Sequence, residues 1–413
     1  MSQAQRRIRS KRRARIVFVL GILALTLATA ALAEASLQVL ARSVTSFERV
    51  IFPHVPMMIP DPQLVRRGNP KFFDHDEHGF RNPKGVTRAA IVTIGDSHTY
   101  GVSVQASEAW PRVLERLSGC RVYNMGVSTY GPLQYTELAR DSTRLQPRLI
   151  VVGIYFGNDL SESWQRYLAD PTRYAVPDAL LRPATELENE SPLRRRVIDF
   201  YTMGAGRDLK PNGMIVSSAR QLLSDNSALW GFFRAAKLQL VGGPATTLDR
   251  SFQSAVSSLT PQQLAYASVF EGGGWRTIFT AGYRMVALDA ADPRIVAGRW
   301  LTERAIEDIA SVAHSIGATV LVVLLPTKES VFAPKVGDLG AHEYLEQLVR
   351  DEAVHRRHMM DFLTARKIAH VDASRALGSL QGQPFYENAD GHPNPRGHEA
   401  IANAVKAAMP SCS

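Results

Sequence analysis

Residues 89–101 read Ala89-Ala90-Ile91-Val92-Thr93-Ile94-Gly95-Asp96-Ser97-His98-Thr99-Tyr100-Gly101. Six apolar or β-branched positions in a row, without polar alternation, suit a strand buried on both faces. The small residues that follow predict a strand-to-helix turn carrying the Ser97 hydroxyl at the strand's carboxyl end. Four more runs share this character: Arg121 to Gly126 (RVYNMG), Leu149 to Phe156 (LIVVGIYF), Ala318 to Leu325 (ATVLVVLL) and Lys367 to Val371 (KIAHV). Helical patterns separate and follow them at Trp110 to Leu117, Gln134 to Leu145, Leu301 to Ile316, Glu343 to Ala365 and Gly397 to Ala408. Strands alternating with helices imply right-handed crossovers, a parallel sheet and an α/β fold built as a three-layer α/β/α sandwich. Ligands in such a sheet sit beyond the carboxyl ends of the strands.

One gap breaks the rhythm. From Gly157 to about Trp300 no βαβ repeat is visible, and the length far exceeds an ordinary connection. The stretch holds amphipathic pieces such as Leu193 to Tyr201 and Ala228 to Leu240, and it is expected to be a lid or cap inserted at about 160–298 above the strand ends. Ahead of the first strand, Phe52 to Lys84 is rich in Pro, Asp and His and reads as an irregular lead-in. The expected organisation is a tail and anchor over 1–44, a lead-in over 45–88, and a catalytic domain over 89–413.

The formal charge is +9, but Arg6, Arg7, Arg9, Lys11, Arg12, Arg13 and Arg15 carry seven positive charges with no acid among them. The chain from Ile16 onward is close to neutral and needs no polyanionic partner, so a nucleic-acid role is not expected. Ile16 to Ala33 is an unbroken run of apolar or small residues, long enough at helical rise to cross a hydrocarbon core. The basic flank would keep the N-terminus cytoplasmic and send everything after Glu34 to the other side, into the periplasm if the cell has an outer membrane. Ala31-Leu32-Ala33 also fits a signal-peptide cleavage site, although Leu37, Val39 and Leu40 extend the helical pattern without a turn. In an oxidising compartment the two cysteines, Cys120 and Cys412, could form one bridge or remain unrelated thiols. The chain path puts both at the sheet edge opposite Ser97.

A serine nucleophile needs a base. Asn388-Ala389-Asp390-Gly391-His392-Pro393-Asn394-Pro395-Arg396-Gly397-His398 offers an imidazole beside a carboxylate in a turn after the fifth strand, on the edge that carries Ser97. His392 would take and return the Ser97 proton while Asp390 holds the ring tautomer. Donors for a developing oxyanion are also required. Tyr155-Phe156-Gly157-Asn158-Asp159 ends the third strand with the Asn158 amide, and Asn124-Met125-Gly126-Val127-Ser128-Thr129-Tyr130-Gly131 ends the second in a turn of backbone N–H groups. Each piece alone is ordinary turn chemistry. Four strand-end motifs meeting in order are not.

Together these blocks resemble the signature of the SGNH (GDSL-type) hydrolase and acyltransferase family: Gly-Asp-Ser with Ser97, the glycine turn after the second strand, Gly-Asn-Asp with Asn158, and the C-terminal Asp/His block. His78-Gly79-Phe80-Arg81, Glu108-Ala109-Trp110-Pro111 and Pro326-Thr327-Lys328 are similar to family features as well. The resemblance covers about Phe72 to Asp159 and Trp300 to Ala408. It implies a flavodoxin-like five-stranded sheet, Ser97, His392 and Asp390 as catalytic residues, and an oxyanion hole from the Ser97 N–H, the Gly126 or Thr129 N–H, and Asn158. No cofactor is implied. Thr129 stands where many members have glycine, and Asp390-x-His392 is shorter than the usual Asp-x-x-His, a spacing that resembles the polysaccharide O-acetyltransferase branches. The expected activity is therefore serine-dependent ester hydrolysis on acylated carbohydrate or another ester outside the cytoplasm. The alternatives are O-acetyl transfer at the same site, and a non-catalytic scaffold that binds glycan or partner proteins of a cell-surface polysaccharide system.

Three other features stand outside these blocks. Asp74-His75-Asp76-Glu77-His78 has metal-ligand residue types but is one local loop without a distant ligand, so no metal site is expected. His98 could touch substrate or point away from it. His398 is expected to serve the first turn of the last helix.

Overall fold

A computed structural model describes residues 3–43, 55–186, 227–229, 232, 252–257, 259 and 267–411. Leu193 to Tyr201 and most of Ala228 to Leu240 lie outside the described residues, as does Cys412. The chain divides into two compact units: Met1–Met57 with Lys71–Asp74 and Asn212–Thr246, and the remainder.

In the first unit, Gln3–Ser43 is one continuous helix. Its stretch Arg15–Leu40, 26 residues, is long and apolar enough to cross a membrane by length and composition; at helical rise it spans about 39 Å. The helix runs unbroken through Ala31-Leu32-Ala33. At the very next residue the Glu34 carboxylate accepts hydrogen bonds from Ser227 Oγ (2.9 Å) and from the N–H groups of Ala228 (2.7 Å) and Leu229 (2.8 Å).

The described residues of the second unit form nine strands. β1 (Met58–Asp61) and β2 (Val65–Gly68) form an antiparallel hairpin. The main sheet comprises β3 (Ile91–Gly95), β4 (Val122–Gly126), β5 (Leu149–Tyr155), β8 (Thr319–Leu325) and β9 (Ala369–Asp372). β6 (Ser268–Gly272) and β7 (Trp275–Phe279) form a second hairpin. The five main strands are all parallel in the order β4-β3-β5-β8-β9. Every residue of β3, β4 and β5 is buried, as their unalternating apolar composition requires. Helices Trp110–Ser118 and Pro395–Ala408 pack together, as do Pro132–Ser142, Asp159–Ala169 and Pro293–Ser315. With helices on both faces, the fold is the expected α/β/α sandwich.

Several boundaries moved, each for a local reason. The last strand starts two residues later than its apolar run because Lys367 takes a left-handed φ of 56°. The crossover helix before β8 starts at Pro293 rather than Leu301. Asp292 caps it by accepting the Arg294 N–H, and Pro293 occupies the first turn, where its missing N–H removes nothing. The lead-in is not wholly irregular, since it holds the β1–β2 hairpin, whose four-residue strands are too short to show periodicity. Nor is the region between β5 and β8 only a cap: it contributes β6, β7 and the 23-residue crossover helix. The β6–β7 hairpin turns at Gly273 and Gly274, which at φ 59° and 76° occupy the two left-handed positions of a tight loop.

The crossover helix lies close against Asp159–Ala169, where a Cβ on Gly298 would overlap the Leu160 carbonyl oxygen and stand 3.4 Å from Trp164 Cβ. Gly298→Ala is expected to destabilise the protein by about 1–3 kcal/mol, although alanine is the better helix former by about 1 kcal/mol. Urea unfolding of the detergent-solubilised chain checks this, and an unchanged midpoint would mean that the two helices separate freely.

Candidate active site

Ser97 opens the short helix Ser97–Tyr100 directly after β3. Asp96, wholly buried, caps it by accepting the His98 N–H on Oδ1 at 2.9 Å, and the backbone closes through the Tyr100 N–H to the Asp96 carbonyl at 2.9 Å. The Ser97 side chain is thereby turned out at the carboxyl edge of the sheet. Its Oγ lies 2.9 Å from His392 Nε2, and His392 Nδ1 lies 2.6 Å from Asp390 Oδ1. Residues 295 positions apart thus share one hydrogen bond.

The Asp390–His392 pair is a compact turn. Asp390 Oδ1 also accepts the His392 N–H at 3.0 Å, and its Oδ2 accepts the Ser103 hydroxyl at 2.5 Å. Burial alone would raise the Asp390 pKa, but the hydrogen bonds from His392 and Ser103 and the imidazole's charge outweigh it and hold the carboxyl well below its usual range. Asp390 is therefore ionised at neutral pH. With the carboxylate accepting at Nδ1, the neutral imidazole keeps Nε2 free to accept the Ser97 proton.

Two anchors of this loop had no task that the sequence could assign. Lys328, fully buried in the turn after β8, donates from Nζ to the carbonyls of Ile278 (2.8 Å), Asn388 (2.9 Å) and Asp390 (3.1 Å), tying the loop to β7. Its burial pushes the amine down to about 8, against the pull of Glu329 and Asp390. Ser103 sits at φ 70° in a loop held by Arg81, whose guanidinium donates to the carbonyls of Gly101 (2.6 Å) and Val104 (2.9 Å). Arg81 and Lys328 both lie in segments noted for family resemblance; only the folded chain gives them these tasks.

The oxyanion-hole candidates divide. Ser97 heads its helical turn, so no carbonyl within the turn accepts its N–H. Gly126 is excluded as a donor, because its N–H already donates to Asn124 Oδ1 at 2.8 Å inside the buried end of β4. Thr129 is exposed and sits at φ 74°, a left-handed conformation that explains why glycine is the easier residue there. Among the described residues no backbone carbonyl accepts the Thr129 N–H. Asn158 follows β5 as the cap of Asp159–Ala169, and its Nδ2 donates to Glu162 Oε1 at 3.1 Å. Asp159 beside it is structural: Oδ1 accepts the Tyr135 hydroxyl at 2.9 Å and Oδ2 the Tyr155 N–H at 2.9 Å.

His98 and His398 are both buried. His98, 2% exposed, stacks on Tyr155 with ring centroids 3.7 Å apart and lies 4.9 Å from the His392 ring. Burial holds its pKa below the ordinary value, so beneath His392 it stays neutral at pH 7. His398 does not serve its own helix. It reaches across to accept the Trp110 N–H on Nδ1 at 3.2 Å, satisfying the first turn of the neighbouring helix, and burial drives its pKa down to about 3. The 74–78 loop fastens the lead-in to the sheet: His75 bonds Tyr100 Oη at 3.0 Å, and Asp76 accepts the Tyr123 hydroxyl at 2.6 Å. Cys120 is disulfide-bonded; Cys412, the other cysteine of the sequence, is outside the described residues.

No protein-family model matches the chain, and no curated protein sequence matches it. Among solved structures it is similar to a protein assigned to a lipolytic G-D-S-L family from Desulfitobacterium hafniense DCB-2, at 11% identity and a TM-score of 0.33, covering 77% of this chain and 98% of that one. It is similar also to a GDSL-like lipase from Bacteroides thetaiotaomicron VPI-5482, at 10% identity and a TM-score of 0.32, covering 77% and 86%. A protein assigned as an acylhydrolase from Bacteroides fragilis NCTC 9343 matches at 10% identity and a TM-score of 0.32, covering 88% and 95%. At these values the chemistry of the site is read from its own geometry.

Proposed function

We propose that the chain is a serine esterase of SGNH type, anchored by its N-terminal helix and acting on acyl esters outside the cytoplasm. The observation that carries the reading is the continuous line Asp390–His392–Ser97, with contacts of 2.6 and 2.9 Å. Ser97 Oγ attacks the ester carbonyl as His392 Nε2 takes its proton. The carbonyl oxygen becomes an oxyanion facing the Ser97 N–H, the Thr129 N–H and Asn158 Nδ2, at the carboxyl ends of three adjacent strands. Asp390 stabilises the imidazolium, which then protonates the departing alkoxide and leaves an acyl group on Ser97. Water, deprotonated by His392, attacks that acyl group, and Ser97 Oγ recovers the proton as it leaves.

The same first half-reaction serves a transferase in which a sugar hydroxyl replaces water. The short Asp390-x-His392 spacing favours that second reading, which makes the chain an O-acetyltransferase. The arginines before Ile16 support an N-terminus held in the cytoplasm, and that topology supports acylated surface carbohydrate as substrate and proteins of a polysaccharide system as partners. The nucleophile is tested without knowledge of the substrate. A fluorophosphonate applied to the detergent-solubilised full chain is expected to add one phosphonyl group, located on the peptide containing Ser97 by mass spectrometry. Labelling elsewhere, or none, removes Ser97 from the mechanism. Product formed only when a glycan acceptor is added would decide for transfer over hydrolysis.

A further inference from the structure

The oxyanion amide has a partner that no motif marks. Asn158 Nδ2 donates to Glu162 Oε1 at 3.1 Å, and the Glu162 N–H donates back to the Asn158 carbonyl at 2.9 Å, so one helical turn sets the spacing of the pair. Glu162 is partly buried as a residue, but its Oε2 is closed off from solvent and has no hydrogen-bond partner among the described residues. It also touches the opposite wall. A Cβ on Gly131 would lie 2.8 Å from Glu162 Cβ and 3.3 Å from Oε2, so the acid packs directly against the turn that carries Thr129. Glu162 therefore stands behind the hole, in contact with two of the three segments that supply its donors.

We propose that Glu162 is a positioning residue: an uncharged carboxyl group that engages one hydrogen of Asn158 Nδ2 and so directs the other into the oxyanion hole. The inference rests on the serine-esterase reading above. With the proton on Oε2, the neutral carboxyl presents Oε1 to Asn158 as a carbonyl oxygen, which accepts from the amide nitrogen and so fixes which end of Asn158 turns toward it. Charge is the other requirement, since an ionised carboxylate one hydrogen bond behind the hole would oppose the oxyanion that the hole stabilises. The surroundings keep the group neutral. Burial, followed by the nearby Asp96, pushes Glu162 up to about 8, against the Asn158 hydrogen bond and Arg284. Asp159 on the same helix and Tyr135 on Pro132–Ser142 also face it and are themselves pushed up, chiefly by burial. Below about pH 8 Glu162 is protonated and the hole intact; as pH rises through that value the carboxyl ionises and turnover falls.

The test is steady-state hydrolysis of p-nitrophenyl acetate by the full-length chain in detergent from pH 6 to 10, with active sites counted by phosphonate titration. Glu162→Gln, which accepts from the amide but cannot ionise, is expected to keep kcat per labelled site within about 3-fold at pH 7 and to lose the decline above pH 8. Glu162→Ala is expected to lower kcat about 10- to 100-fold with little change in KM, a fraction of the roughly 10²–10³ of a deleted oxyanion donor. A purely structural role would instead reduce the number of titrated sites and leave kcat per site unchanged. That outcome, or an alkaline decline identical in wild type and Glu162→Gln, overturns the proposal even if Glu162→Ala does not fold. Should Ser97→Ala retain the acetate burst, the esterase reading fails first, and the two failures are told apart.

Discussion

Ser97→Ala is expected to abolish the burst of p-nitrophenol that reports acylation and to reduce steady-state turnover by at least about 10⁴-fold. The size follows from the site. Alanine removes the hydroxyl that lies 2.9 Å from His392 Nε2, and the neighbouring Ser103 hydroxyl is turned to Asp390 Oδ2 instead. The donors of the hole remain, so some rate above background survives. Thermal stability is expected to change little, since a partly exposed hydroxyl is exchanged for hydrogen. Residual turnover within 10-fold of the parent, with the fold intact by circular dichroism, would mean that water or another group attacks directly.

Asp390→Asn is expected to lower kcat by about 10³- to 10⁴-fold with KM nearly constant. The shape is preserved, but the amide can present its NH₂ where Oδ1 now accepts, donating to Nδ1 and leaving the imidazole proton on Nε2, which then cannot accept from Ser97. Loss of the carboxylate also removes the charge that stabilises the imidazolium. The phosphonate labelling rate should fall in parallel with kcat, because both need Ser97 deprotonated. If labelling keeps its wild-type rate, Asp390 is an anchor for Ser103 and Lys328 rather than a partner in proton transfer.

Why so much of this site was legible lies in the strands. In a parallel sheet each chemistry-bearing residue falls just after a strand, and the strand announces itself by an unbroken apolar run. Ser97, Asn158, the 126–131 turn and His392 are read off together, each by its place just after a strand. The chain also showed by itself the α/β/α class and an apolar N-terminal helix, whereas the flavodoxin-like sheet came only from the resemblance. The first two depend on local composition and periodicity, which a linear chain displays in full.

Tertiary structure alone decided which groups are spent and which are free. The Gly126 N–H is taken by Asn124 Oδ1, a contact within the same few residues but set by how β4 ends beneath the nucleophile turn. His398 looked local, yet serves a helix that starts 288 positions earlier. Lys328 and Ser103 hold the Asp390 loop across 62 and 287 positions, and Glu162 acquires its meaning only by lying between Asn158 and Gly131. The physical reason is common to all of them. A hydrogen bond is decided by distance and desolvation in three dimensions, and polar side chains carry no periodic signature that tells a linear reading which partner, of the many within the chain, burial will force them to find.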